Sequence, residues 1–151
     1  MTQKNLIPHI QSMQNNIPTK DDPYSPIPVI HELTRVYTIL HNAIRDFPKQ
    51  EKFSIGEMME KILLECIESC FLGTTMPPGS YKLHHIATAS AKFDALKLFI
   101  RVSVDIHCMK EQTYTKLIPI LGDIGKMLGG WLNSAKKGVQ KQSLIQNQNQ
   151  T

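Results

Sequence analysis

IGKMLGGWLNSAKK, residues 124–137, decides how this chain folds. Leu117, Leu121, Ile124, Leu128 and Trp131 recur at spacings of four, three, four and three, the period of one helix face. The apolar stripe therefore runs straight through Gly129 and Gly130. Each interior glycine costs roughly 1 kcal/mol against alanine, and Gly122 and Gly125 add two more. At about 100° per residue, Gly122, Gly125 and Gly129 fall on one side and leave a bare flank. Such a flank lets another backbone approach closely. The competing reading ends the helix at Gly129, since glycine commonly follows a helix C-terminus. Persistence of the period to Trp131 favours the continuous helix.

Working outward, three more helical patterns precede this one. The first runs from Pro28 to Asp46, with Val29, Leu33, Val36, Tyr37, Leu40 and Ile44 on one face. Phe47-Pro48 ends it, because proline disfavours helix in the residue before it. The second opens at Ser54, with Glu57 three residues on completing a capping box. Its stripe includes Ile55, Met58, Met59, Ile62, Leu63, Cys66, Ile67 and Cys70, and Gly73 is expected to close it. MPPGS, residues 76–80, is a break. The third helix is expected from Tyr81 to Met109 and the fourth from Thr113 to Ala135. Pro119 kinks the fourth helix or delays its start. No strand pattern occurs. Short connections between four such helices predict an all-α, antiparallel up-and-down four-helix bundle over residues 28–137. Residues 1–27, with Pro8, Pro18, Pro23 and Pro26, read as a flexible leader. Residues 138–151, rich in Gln and Asn, read as a polar tail that frays.

Length and composition fit one soluble domain: 151 residues, 41% hydrophobic and 20% charged. No run reaches the length that a membrane span needs, and the N-terminus carries no secretory pattern. Three cysteines cannot all pair within one chain. Cys66 and Cys70, one turn apart, read as reduced core residues, which suits the cytoplasm. Charge is uneven: residues 1–75 carry 7 Lys/Arg and 9 Asp/Glu, whereas residues 76–151 carry 10 and 4. A basic half points to an acidic partner, of which nucleic acid is the commonest.

The third helix shows two apolar faces. Ile86, Ala89, Phe93, Leu96, Ile100 and Val104 form one; Ala91, Ala95, Leu98, Phe99, Val102, Ile106 and Met109 form the other. A surface helix normally buries a single face, so the second predicts a homo-oligomer, or else a helix buried deeply in a monomer. Leu98, Val102, Met109, Gly122, Gly125 and Gly129 are the expected interface residues.

Signatures of catalysis are missing: there is no phosphate loop, dinucleotide-binding glycine motif or nucleophile elbow. Cys66 and Cys70 lack the further ligands of a metal site. No cofactor, metal or catalytic residue is expected. Among the cations, Lys97 and Arg101 sit three and four residues from Asp94 and Asp105, the spacing of surface ion pairs. Lys92 and Lys110 have no acidic neighbour on their own strip. Lys126, Lys136, Lys137 and Lys141 cluster with only Asp123 nearby. Lys92, Lys97, Arg101, Lys110, Lys126, Lys136 and Lys137 are the candidate nucleic-acid contacts, made by charge rather than exact geometry.

FPKQEKFSIGE (Phe47 to Glu57), ASAKFDALKLFIRVSVDI (Ala89 to Ile106) and IGKMLGGWLNSAK (Ile124 to Lys136) resemble the signature blocks of the accessory variability determinant, or Avd, proteins. These accompany the reverse transcriptases of diversity-generating retroelements. They belong with the four-helix-bundle proteins encoded in intervening sequences of 23S ribosomal RNA genes. The resemblance implies a homopentameric barrel with a basic surface and no activity of its own. It implies binding to the reverse transcriptase and its template RNA in support of mutagenic cDNA synthesis. The alternative is a structural bundle protein of the intervening-sequence type, with a protein partner only. Lys52 and Lys126 stand where relatives often carry arginine, keeping the charge without the bidentate phosphate geometry.

Overall fold

The computed structural model describes residues 27–149, so the expected leader and residues 150–151 lie outside the described residues. Four long helices form: α1 (Ile27–Arg45), α2 (Glu57–Thr75), α3 (Ser80–Asp105) and α4 (Glu111–Gln148). Among the described residues there is no strand. Each helix packs on the next, and α4 closes against α1, while α1–α3 and α2–α4 lie diagonally across the bundle. Lys110 meets Asp46 at one end, and Gln142 donates to the Pro78 carbonyl at the other (3.1 Å). The helices therefore alternate in direction, as the short connections predict.

Leu33, Val36 and Leu40 of α1 form the core with Met59, Leu63 and Cys66 of α2. Ile86, Ala89, Phe93, Leu96 and Ile100 of α3 join Leu117, Ile124 and Leu128 of α4. Core-facing stripes thus fall where helical periodicity places them. α4 continues through Gly129 and Gly130 for 38 residues, about 57 Å at ~1.5 Å per residue. The segment expected to fray after Lys137 is helical to Gln148, and it is exposed from Gln140 onward. Pro119 does not delay the helix: α4 already runs from Glu111, and Pro119 lies inside it on its exposed side.

Three boundaries differ from expectation. Ser54 caps nothing, because the second rod starts earlier, at Lys49–Glu51, and passes through a π-helical turn at Lys52–Gly56. Pro48 precedes that first turn and supplies its fixed φ of −53°. The Ser54 hydroxyl instead donates to the Gln50 carbonyl at 3.1 Å. Gly73 does not end α2, which runs on to Thr75. It lies buried where a Cβ would stand 3.1 Å from both Ile86 and Trp131. α3 stops at Asp105 because His107 adopts a left-handed φ of 61°. The Ser103 carbonyl then accepts from the amides of Cys108 (2.9 Å) and Met109 (3.0 Å).

This turn folds Met109 into the core, 3% exposed. It cannot serve as an oligomer contact, and the expected interface loses it. The rest of the second apolar face of α3 is divided. Ala95 and Phe99 pack against the core of their own bundle, whereas Leu98 is 61% exposed. Ser103 is fully buried, with its hydroxyl donating to the Ile100 carbonyl (2.7 Å).

Two glycines of opposite surroundings test this packing. A Cβ at Gly56 would stand 2.8 Å from Ile44 Cγ2, whereas one at Gly122 meets nothing within 4 Å. Gly122→Ala should stabilise the bundle by roughly 1 kcal/mol through helix propensity. Gly56→Ala should destabilise it by about 1–3 kcal/mol, because Ile44 is itself in the core. Denaturant midpoints moving in the same direction for both would contradict the packing described.

Candidate interaction surfaces

Side chains facing outward from the α3–α4 seam form an open groove of about 530 Å³, lined by Lys97, Tyr114, Ile118, Leu121, Gly122, Gly125 and Lys126. Phe93 Cε1 lies 3.8 Å from where a Cβ at Gly125 would stand, so the missing side chain brings the groove close to the core. Leu98 and Ile118, on the two helices of the seam, are 61% and 50% exposed. Val102 and Gly129 are half-buried, and Gly122 is exposed. All the expected interface residues except Met109 therefore keep some exposed surface, and Gly122 and Gly125 among them line this groove.

The seven candidate cations divide into two groups. Lys97 pairs with Asp94 (2.9 Å) and Arg101 with Asp105 (3.2 Å), as their spacing predicts. The Arg101 guanidinium also lies 6.0 Å from the centre of the Tyr114 ring. Contact with Tyr114, then the charge of Asp105, raise its affinity for the proton further. Lys92 and Lys110 are paired too, with carboxylates that lie off their own strip. Lys92 Nζ lies 2.6 Å from Glu65 on α2, and Lys110 Nζ lies 3.5 Å from Asp46. The hydrogen bond from Lys92 holds the Glu65 carboxyl below the usual carboxylate range.

Lys126, Lys136 and Lys137 are exposed and have no carboxylate within 4.0 Å among the described residues; the same holds for Lys141. Lys126 and Lys137 stand eleven residues apart, three helical turns and about 16 Å, so they share one stripe of α4.

On the opposite side, the α1–α2 seam forms a groove that sequence reasoning missed. It encloses about 690 Å³ and is lined by Tyr37, Glu57, Glu60, Lys61, Leu64, Glu65 and Glu68. His41 Nδ1 meets Glu60 at 2.7 Å on its edge. The signal was present in the acidic first half of the chain: all four carboxylates belong to α2, and the bundle adds Tyr37 of α1 as the other wall. A third groove of about 650 Å³, between α1 and α4, mixes Arg35, Lys110 and Lys116 with Asp46 over an Ile39–Ala43–Ile120 floor.

The thiols stay out of these surfaces or at their edge. Cys66 and Cys70 are buried and unpaired by any disulfide, and Cys66 Sγ donates to the Ala89 carbonyl (3.3 Å). The neighbouring Cys70 and burial push the Cys66 thiol far above its ordinary value. Among the described residues, no three His, Cys, Asp or Glu side chains converge as a metal site. No helix among them is long and apolar enough to cross a membrane.

No curated protein matches this sequence. The family model described as bAvd-like matches residues 29–135, from the first buried residue of α1 to the last turn before the lysine pair of α4. The chain belongs to the bAvd-like family.

Proposed function

We propose that this protein is a non-catalytic accessory protein of a diversity-generating retroelement, binding the reverse transcriptase and its template RNA during mutagenic cDNA synthesis. The observation that carries this reading is the family match over residues 29–135, which spans nearly all of the bundle. The RNA contacts are assigned to Lys126, Lys136 and Lys137, with Lys141, because their charges are not neutralised by neighbouring carboxylates. Lys92, Lys97, Arg101 and Lys110 are secondary, since an RNA phosphate must compete with an existing carboxylate. Such exposed pairs are worth little and can be exchanged. The α3–α4 groove, with Leu98, Val102, Gly122, Gly125 and Gly129, is assigned to self-association as a homopentamer in the cytoplasm.

Four phosphate contacts on single-stranded RNA should make the logarithm of the binding constant fall with log salt at a slope of about −3. The purified protein should also retain the reverse transcriptase on an affinity column and raise its cDNA yield on template RNA. Light scattering should give five times the 17.1 kDa protomer mass. Salt-independent RNA binding, or a reverse transcriptase indifferent to the protein, would reject the assignment. The pairing of four candidate cations favours one second reading, a structural bundle with a protein partner only. That reading expects no RNA affinity at moderate salt.

A further inference from the structure

The α3–α4 groove needs a complementary surface, and the molecule carries one on its far side. On α2, Glu57, Lys61, Leu64, Glu68 and Phe71 recur at spacings of four, three, four and three, so they form one outward stripe. The opposite side of the same helix holds the buried Met59, Leu63, Cys66 and Cys70. Leu64 and Phe71 are 50% and 52% exposed, and along the stripe Leu64 lies between Lys61 and Glu68, with Glu57 one turn beyond Lys61. On α4, Ile118, Gly122 and Gly129 fall on one stripe, and the positions of Cβ atoms at Gly122 and Gly129 are open space. The lining of the acidic groove holds four carboxylates and one lysine; that of the α3–α4 groove holds two lysines and no carboxylate.

We propose that the acidic outer face of α2 in one copy of this chain docks into the glycine-lined, basic α3–α4 groove of the next. Leu64 fills the space left by Gly122 and Gly125, against Leu98 and Ile118. Glu57 and Glu68 face Lys97 and Lys126 across the contact. Lys97 is free to change partner because its ion pair with Asp94 is exposed on both sides. The α1–α2 and α3–α4 seams lie on opposite sides of the bundle, so each copy uses different faces toward its two neighbours. Such a contact is heterologous and either closes into a ring or continues as a filament. Charge complementarity selects a second copy over RNA for the α2 face, since carboxylates repel phosphates.

The pairing rests on the reading of self-association above, and the experiment separates the two. The purified, RNA-free full chain is examined by sedimentation and light scattering beside Glu57→Lys/Glu68→Lys and Lys97→Glu/Lys126→Glu variants. Each variant alone should associate at least about a hundredfold more weakly, because like charges then meet across the contact. An equimolar mixture should associate again, as open chains or even-membered rings in which the two variants alternate, because the reversed faces match each other and so do the untouched ones. A five-membered ring cannot alternate and is not expected. Gly122→Phe should dissociate as well, with helicity by circular dichroism unchanged. A wild-type chain that stays at 17.1 kDa overturns both self-association and this pairing. A wild-type oligomer whose size survives either double reversal overturns the pairing alone. So does a mixture that remains monomeric, which would point to a basic segment of another protein as the occupant of the α2 face.

Discussion

Phe93→Ala should lower the stability of the bundle by about 3–5 kcal/mol, the loss expected when a fully packed aromatic ring leaves a cavity. Phe93 is 1% exposed at the middle of α3, and its ring edge lies 3.8 Å from where a Cβ at Gly125 of the neighbouring α4 would stand. Lys97 Nζ stands 5.1 Å from its ring centre and closes the outer side. With glycine at position 125, no neighbouring side chain there is available to collapse into the space. A domain of this size holds only about 5–15 kcal/mol in total, so the variant should approach the edge of folding. Urea unfolding should show a large fall in midpoint with little change in slope. Leu98→Ala on the same helix removes an equally apolar group that is already 61% exposed. In the monomer it should move stability by about 0.5 kcal/mol or less. Equal losses at the two positions would mean that α3 is rotated from the orientation described.

Replacing Lys136, Lys137 and Lys141 together by glutamate should weaken RNA binding by roughly a hundredfold at moderate salt and flatten its salt dependence. Each phosphate-contacting lysine lost should reduce the steepness of the slope by about 0.7. These three residues are chosen because they are exposed on the distal half of α4, beyond the last buried residue, Leu128. Lys126 is left in place because it also lines the α3–α4 groove. The triple variant should keep its helicity and its oligomeric size. Fluorescence anisotropy with template RNA at two salt concentrations provides the measurement. Unchanged affinity would move the RNA contact to the paired cations, where Lys92 and Lys110 become the residues to reverse.

The bundle was legible because its information is local. Leu117 to Trp131 keep one period through two glycines, and no tertiary knowledge is needed to extend α4 across them. The misread points all depend on residues distant in sequence or on backbone geometry. Gly73 has the look of a terminator, yet it is small because Trp131 and Ile86 press on it from two other helices. Ser54 and Glu57 satisfy the capping pattern, but Pro48 had already started a helix upstream. Lys92 and Lys110 appeared uncompensated because a wheel shows only their own helix. Glu65 is 27 positions away and Asp46 is contributed by the end of α1. Met109 was carried onto an outward face by extrapolating the period of α3 past His107, whose left-handed backbone ends it. The acidic seam is the exception: Glu57, Glu60, Glu65 and Glu68 all lie on α2 and only Tyr37 comes from α1, so its carboxylates were open to the wheel of a single helix.

The π-helical turn at Lys52–Gly56 gives the chain one place where its length can change without disturbing the core. Deleting a single residue there returns the turn to ordinary α geometry, and Glu57–Thr75 keeps its orientation. The same deletion in the middle of α2 would rotate every later side chain by about 100° and swing carboxylates toward the interior. Single-residue gaps between this chain and its relatives are therefore expected at that turn, with the rods on either side held to constant length.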